Sequence, residues 1–129
     1  MDSLKIERRF NSPLIDFNSN NGLLKIIGRS IPENPVKFYQ PLNDWVHNFI
    51  KTNPQDLIFY VHLDYLNTHS TECLLILMKK MENYYKTSGN NVKVSWNFDE
   101  YDEDMEGLGE DLASITEIPF EYKMVPEED

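Results

Sequence analysis

The sequence predicts an α/β domain built on a mixed, mostly parallel sheet, with the element order β-β-α-β-α-β-α-β. Three observations carry this prediction. Two short apolar runs flank an Asn-Gly turn near the start, which is a hairpin pattern. Beyond it, stretches with helical apolar spacing alternate with strand-length apolar runs. Consecutive strands joined through helices need crossovers, and these are right-handed and give parallel pairing.

The hairpin consists of residues 14–18 and 23–28, separated by Ser19-Asn20-Asn21-Gly22. Pro32-Glu33-Asn34-Pro35 then forms an extended, helix-breaking punctuation. After it, Phe38, Leu42, Trp45, Val46, Phe49 and Ile50 fall on one face of a helix that stops before Asn53-Pro54. Residues 57–63 are a near-continuous apolar run, as expected of a strand covered by helices on both faces or central in its sheet. A second helix over about residues 70–87 aligns Leu74, Leu77, Met78, Met81 and Tyr85, and Ser88-Gly89-Asn90 stops it. Val92, Val94, Trp96 and Phe98 alternate with polar residues as a strand with one buried face. Met105, Leu108, Leu112 and Ile115 mark a short third helix. Ile118, Phe120, Tyr122 and Met124 mark a last strand, and Pro126-Glu127-Glu128-Asp129 a frayed acidic tail.

A chain of 129 residues supports one sizeable core, so residues 1–129 are read as a single domain with its core at about 10–125. Twelve basic against 22 acidic side chains give a net charge of −10, which disfavours phosphate backbones and anionic lipid as partners. Neither a nucleic acid nor a membrane is therefore expected, and a protein with a cationic patch is. No apolar run reaches transmembrane length, and Met1-Asp2-Ser3-Leu4-Lys5 lacks signal-peptide architecture. With the single cysteine, Cys73, these features point to the reducing cytoplasm.

Enzyme motifs are missing. No glycine-rich phosphate loop is present. His47, His62 and His69 lie on different elements without ligand spacing, so neither a metal nor another cofactor is expected. His47 reads as solvent-exposed and His62 as a hydrogen-bonded strand residue. His69 and Cys73 form an i, i+4 pair, but Cys73 adjoins the leucine stripe and reads as core packing.

Two polar features remain. The turn Asp64-Tyr65-Leu66-Asn67-Thr68-His69-Ser70-Thr71-Glu72 lies at the carboxyl end of the central strand, where sites assemble in open α/β sheets. A hydroxyl there lies beside the unpaired N–H groups and positive dipole end of the second helix. Thr68 or Ser70 is expected to cap that helix, a contribution of about 1 kcal/mol. The same exposed hydroxyl can also accept a phosphate, adding roughly −1.5 to −2 charge. The second feature is the acidic run at residues 99–104, expected as a loop at the same end of the sheet. Its carboxylates suit the start of the third helix and would also permit an Mg²⁺ site of the receiver type. The opening hairpin, and the lack of a lysine at the end of a late strand, fit a receiver badly.

Three blocks of the chain resemble the SiaC family of bacterial regulatory phosphoproteins. Pro32-Glu33-Asn34-Pro35-Val36-Lys37-Phe38-Tyr39-Gln40-Pro41-Leu42-Asn43-Asp44-Trp45 resembles that family's opening-helix signature. Leu63-Asp64-Tyr65-Leu66-Asn67-Thr68-His69-Ser70-Thr71 resembles its strand-to-turn signature. Val94-Ser95-Trp96-Asn97-Phe98-Asp99-Glu100-Tyr101-Asp102-Glu103-Asp104-Met105 resembles its third.

The family is similar to STAS domains, the fold of anti-sigma-factor antagonists, so the resemblance implies a STAS-like α/β domain. It implies a non-enzymatic switch phosphorylated on Thr68 by a protein kinase and reset by a PP2C-type phosphatase. The target would be a protein such as a diguanylate cyclase, linking the switch to cyclic-di-GMP and biofilm control. The sequence departs from the family at His69, where members commonly carry a small hydroxyl residue, and Ser70 and Thr71 are fallback acceptors. The expected partner-binding residues are Asp64, Tyr65, Asn67, Thr68, His69 and Ser70. In the unmodified form this turn would dock the target; phosphate, meeting Asp64, Glu72 and the run at 99–104, would repel it. A constitutive interaction module and a receiver-like Mg²⁺-binding domain are the alternatives.

Overall fold

The computed structural model describes residues 1–127, so Glu128 and Asp129 of the expected tail lie outside the described residues. Nine elements follow in order: β1 (Leu4–Ile6), β2 (Leu14–Phe17), β3 (Leu23–Ser30), α1 (Pro35–Thr52), β4 (Leu57–Leu66), α2 (Thr68–Ser88), β5 (Val92–Asp99), α3 (Glu103–Ser114) and β6 (Phe120–Val125). They build one six-stranded sheet in the order β1-β2-β3-β4-β5-β6. The first two pairings are antiparallel and the last three parallel. The mixed, mostly parallel sheet is the expected one, with an additional strand. β1 is only three residues long, too short for its Leu-Lys-Ile alternation to stand out before it pairs with β2.

The strand order has a consequence for layering. Each parallel strand is added on the same side of its predecessor, and a right-handed crossover then places every helix on one face. Burial alternates accordingly. Leu24 and Ile26 of β3, Phe59 and Val61 of β4, and Val94 and Trp96 of β5 are sealed beneath the helices. Ile58, Tyr60 and His62 alternate with them on the opposite, partly solvated face. The apolar run at 57–63 is thus explained by β4's central position, and helices do not cover both of its faces.

The helix ends follow from local chemistry. Asn34 caps α1 by accepting from the Lys37 N–H at 3.1 Å, and Pro35 occupies a first-turn position where its missing N–H costs nothing. Gly89, at φ 79°, ends α2 in the left-handed conformation. The hairpin loop differs from a tight two-residue turn. Gly22 alone has positive φ, and its N–H donates to the Asn18 carbonyl at 3.1 Å. The Asn18 side chain accepts from the Asn20 N–H at 2.8 Å.

Buried residues of α1, α2 and α3 share one core with the sheet. Trp45 lies 5.5 Å from Phe17 and stacks on Phe49 at 4.8 Å, which seats α1 over β2. α3 sits on Trp96, whose indole N–H donates to the Met105 carbonyl at 2.9 Å. Gly109 faces that indole so closely that a Cβ there would overlap it. The stripe expected for α3 is therefore corrected: Met105 and Leu112 are buried, but Gly109 takes the central contact and Ile115 is 52% exposed. In α2, Tyr84 is buried in preference to Tyr85, and its hydroxyl donates to the Gln55 carbonyl at 2.7 Å.

Candidate functional site

β4 and β5 run parallel, so the turns that follow them emerge at one end of the sheet. In the first of these, Asn67 is extended, at φ −84° and ψ 170°, and its side chain accepts from the Ser70 N–H at 2.8 Å. The Thr71 N–H and hydroxyl both donate to the Asn67 carbonyl, at 3.0 and 3.1 Å. Asn67 is therefore the cap of α2. The expectation that Thr68 or Ser70 serves as the cap is corrected, because an Asx side chain one residue earlier already satisfies the orphan donor.

That assignment frees Thr68. It occupies the first position of α2, is exposed, and its hydroxyl has no hydrogen-bond partner among the described residues. His69 beside it is exposed as well. Ser70 is not: it is fully buried, and its hydroxyl accepts from Ser30 at 3.0 Å. Ser30 in turn lies 2.8 Å from the Tyr39 hydroxyl. Since Ser30 gives its proton to Ser70, Tyr39 is the donor to Ser30. Burial pushes the Tyr39 phenol up to about 12, against the lowering effect of the Ser30 hydrogen bond. This buried relay ties β3, α1 and α2 together beneath the turn. It takes Ser70 out of reach as a fallback acceptor or a surface contact, whereas Thr71 is half-buried with its hydroxyl engaged.

The remaining members of the expected site divide between two faces. Tyr65 is 54% exposed near the end of β4. Asp64 turns toward the uncovered face of the sheet, where Arg8 and Arg29 each approach a carboxylate oxygen to 3.8 Å. It lines a small cleft of about 230 Å³ together with Arg8, His62 and Asp99. His62 Nε2 lies 2.9 Å from Asp99 Oδ1, in keeping with the hydrogen-bonded strand role. The arginines were not part of the expected site, since nothing in the spacing of residues 8, 29 and 64 signals that the pleat brings them together.

The acidic run is also divided. Asp99 belongs to β5, Glu100 and Tyr101 form a turn in which Tyr101 has φ 73°, and Asp102 caps α3 by accepting from the Met105 N–H at 3.0 Å. Glu103, Asp104 and Glu106 occupy the first turn of α3. The expectation of one loop over 99–104 is thereby corrected: the helix begins within the run because its acids favour a helix N-terminus. Among the described residues, no three or more His, Cys, Asp or Glu side chains are grouped to hold a metal ion. Cys73 is buried in the core, and burial raises its thiol pKa. No helix is long and apolar enough to cross a membrane among the described residues.

Comparison with known proteins places this geometry. The chain is 28% identical over 120 residues to an uncharacterised protein of Pseudomonas aeruginosa, covering 93% of this chain and 94% of that one. Its fold matches a chain in the crystal structure of the diguanylate cyclase SiaD in complex with its activator SiaC, also from Pseudomonas aeruginosa. The TM-score is 0.89 at 25% identity, over 95% of this chain and 99% of that one. The likeness extends in fold to apo-SiaC from the same organism, with a TM-score of 0.85 at 24% identity and coverage of 95% and 99%. Residues 6–125 match the family described as SiaC family regulatory phosphoprotein. That match runs from the first strand to the last, and the chain belongs to the SiaC family of regulatory phosphoproteins.

Proposed function

We propose that this protein is a non-enzymatic cytoplasmic switch whose unmodified form docks a diguanylate cyclase and whose phosphorylation on Thr68 ends that contact. One observation carries the reading: Thr68 is an exposed, unengaged hydroxyl at the start of α2, while Asn67 performs the capping. Family membership makes a regulatory phosphate an expected modification, and the likeness to SiaC seen with SiaD supports a cyclase as the partner class. A protein kinase adds the phosphate and a PP2C-type phosphatase removes it.

The physical basis is electrostatic. α2 has no acidic residue in its first turn, so a phosphate at Thr68 meets an uncompensated helix N-terminus that favours it. It brings a doubly charged, hydrated group to a surface that would otherwise dock through Tyr65, Thr68 and His69. A loss of about 1.4 kcal/mol in docking lowers affinity tenfold, and one charged group desolvated at an interface is enough for that. Asp64 contributes little to the repulsion, because Arg8 and Arg29 flank it on the other face.

Intact-mass analysis after incubation with the kinase of the same organism tests the assignment. Wild type should gain one phosphate and Thr68→Ala none, with cyclase binding by the alanine variant retained. Full phosphorylation of Thr68→Ala would sink the assignment. Failure to find phosphate on protein isolated from its native cells, with cyclase binding intact, would favour a constitutive interaction module instead.

A further inference from the structure

The exposed side of α2 continues from Thr68 into a groove against α1. Thr68, Glu72, Leu75, Lys79 and Asn83 recur at spacings of four, three, four and four, so they share one face of the helix. Leu75 and Ile76 of α2 and Ile50 of α1 form an apolar floor, bordered by His47, Lys79 and Lys80. The groove encloses about 530 Å³, and Ile76 is 51% exposed within it. Lys79 is held at the rim, 3.2 Å from Glu82 and 2.7 Å from the Ile115 carbonyl.

Charge makes the groove distinctive. The chain carries 22 acidic and 12 basic residues, yet none of the groove-lining side chains is acidic. The geometry points to a docking groove for an amphipathic helix of the partner, apolar on the face that meets Ile76 and acidic along its flanks. A groove between two helices receives a third through i, i+3, i+4 anchors, and carboxylates on that helix would meet Lys80, with Lys79, already held by Glu82, adding positive charge at the rim. This inference rests on the Thr68 switch and specifies what the switch controls. Eight residues of helix separate Thr68 from Ile76, an axial distance of ~12 Å. The Debye length is about 8 Å at physiological salt, so a phosphate acts on the occupant only where the docked helix runs up to Thr68. Glu72, a turn from Thr68, is exposed on the same helix face between Thr68 and the groove, and a phosphate would add to its negative charge.

The test uses a labelled synthetic amphipathic peptide of about 18 residues, spanning roughly 27 Å, with leucine on one face and glutamate on the others. A second peptide replaces every glutamate by lysine. Fluorescence anisotropy should show the glutamate peptide binding the unmodified protein and the lysine peptide failing to bind. NMR should place the methyl shifts at Ile50, Leu75 and Ile76. Ile76→Asp and Lys80→Glu, both at solvent-accessible positions, should each weaken binding at least tenfold while the NMR spectrum remains that of the folded protein. Equal binding of the two peptides, no binding of either, or binding indifferent to both substitutions overturns the groove. Self-association abolished by Ile76→Asp, with no peptide bound, overturns it in favour of a second copy of the chain. Thr68→Glu should weaken the glutamate peptide. If it does not, while both groove variants do, the groove stands and the Thr68 switch falls.

Discussion

The turns that open α2 and α3 occupy equivalent places after neighbouring parallel strands, and each is capped by an Asx side chain. Their chemistry is opposite. α3 begins with the charged cap Asp102, followed by Glu103, Asp104 and Glu106, so its dipole is already answered by carboxylates. α2 begins with the neutral cap Asn67 and no first-turn acid. The backbone differs as well: Tyr101 before α3 is the one non-glycine residue at positive φ among the described residues, while Asn67 before α2 is relaxed and extended. Two helix starts in equivalent places are thus unequal as anion sites. The neutral one carries an exposed, unengaged hydroxyl, and the acidic one would repel a phosphate.

Anchoring separates them too, and offers the largest test. α3 rests on Trp96 through the Gly109 contact and the indole hydrogen bond to Met105, so Trp96→Ala should destabilise the protein by about 3–5 kcal/mol in chemical denaturation. A loss under about 1 kcal/mol would mean that α3 is held elsewhere.

α2 is anchored by the Tyr39–Ser30–Ser70 relay, which gives it a pH signature. The Tyr39 phenol is pushed up to about 12 in the folded state against an ordinary value near 10, so the folded protein holds this proton more tightly. Stability from this source is complete below about pH 10 and is lost as pH rises toward 12, by roughly 2–3 kcal/mol. Tyr39→Phe should remove that part of the decline in denaturation curves collected from pH 9 to 12. An unchanged slope would show that Tyr39 is not the titrating group.

Cap substitutions sharpen the contrast further. Asn67→Ala and Asp102→Ala should each cost about 1 kcal/mol, the latter being the more salt-sensitive because its cap is charged. Thr68→Ala should shift stability by less than about 0.5 kcal/mol, since its hydroxyl holds nothing in place. A Thr68→Ala loss as large as that of Asn67→Ala would return Thr68 to a capping role. A small effect is also expected from Tyr101→Gly. Relief of the left-handed backbone, roughly 1–2 kcal/mol, is largely offset by the added freedom of glycine in the unfolded chain, roughly 0.5–1 kcal/mol. Thermal melts should differ by no more than a few degrees.

The sequence by itself determined the elements and their boundaries wherever the signal was local. Apolar spacing in residues 38–50 located α1, Asn34 and Pro35 its start, and alternation from Val92 to Phe98 the strand that buries Trp96. The turn around Thr68 was legible for the same reason, as hydroxyl and amide side chains are concentrated where a strand hands over to a helix. The tertiary structure decided what depends on residues distant in the chain. Which face of β4 is covered follows from the order in which strands are added, which no local pattern encodes. Ser70 and Thr68 are both hydroxyls of one turn, yet Ser70 is buried against Ser30, 40 residues away, and Thr68 is left in solvent. Local spacing cannot separate them, because that difference arises only when the sheet and α1 close over one side of α2 and leave the other side free.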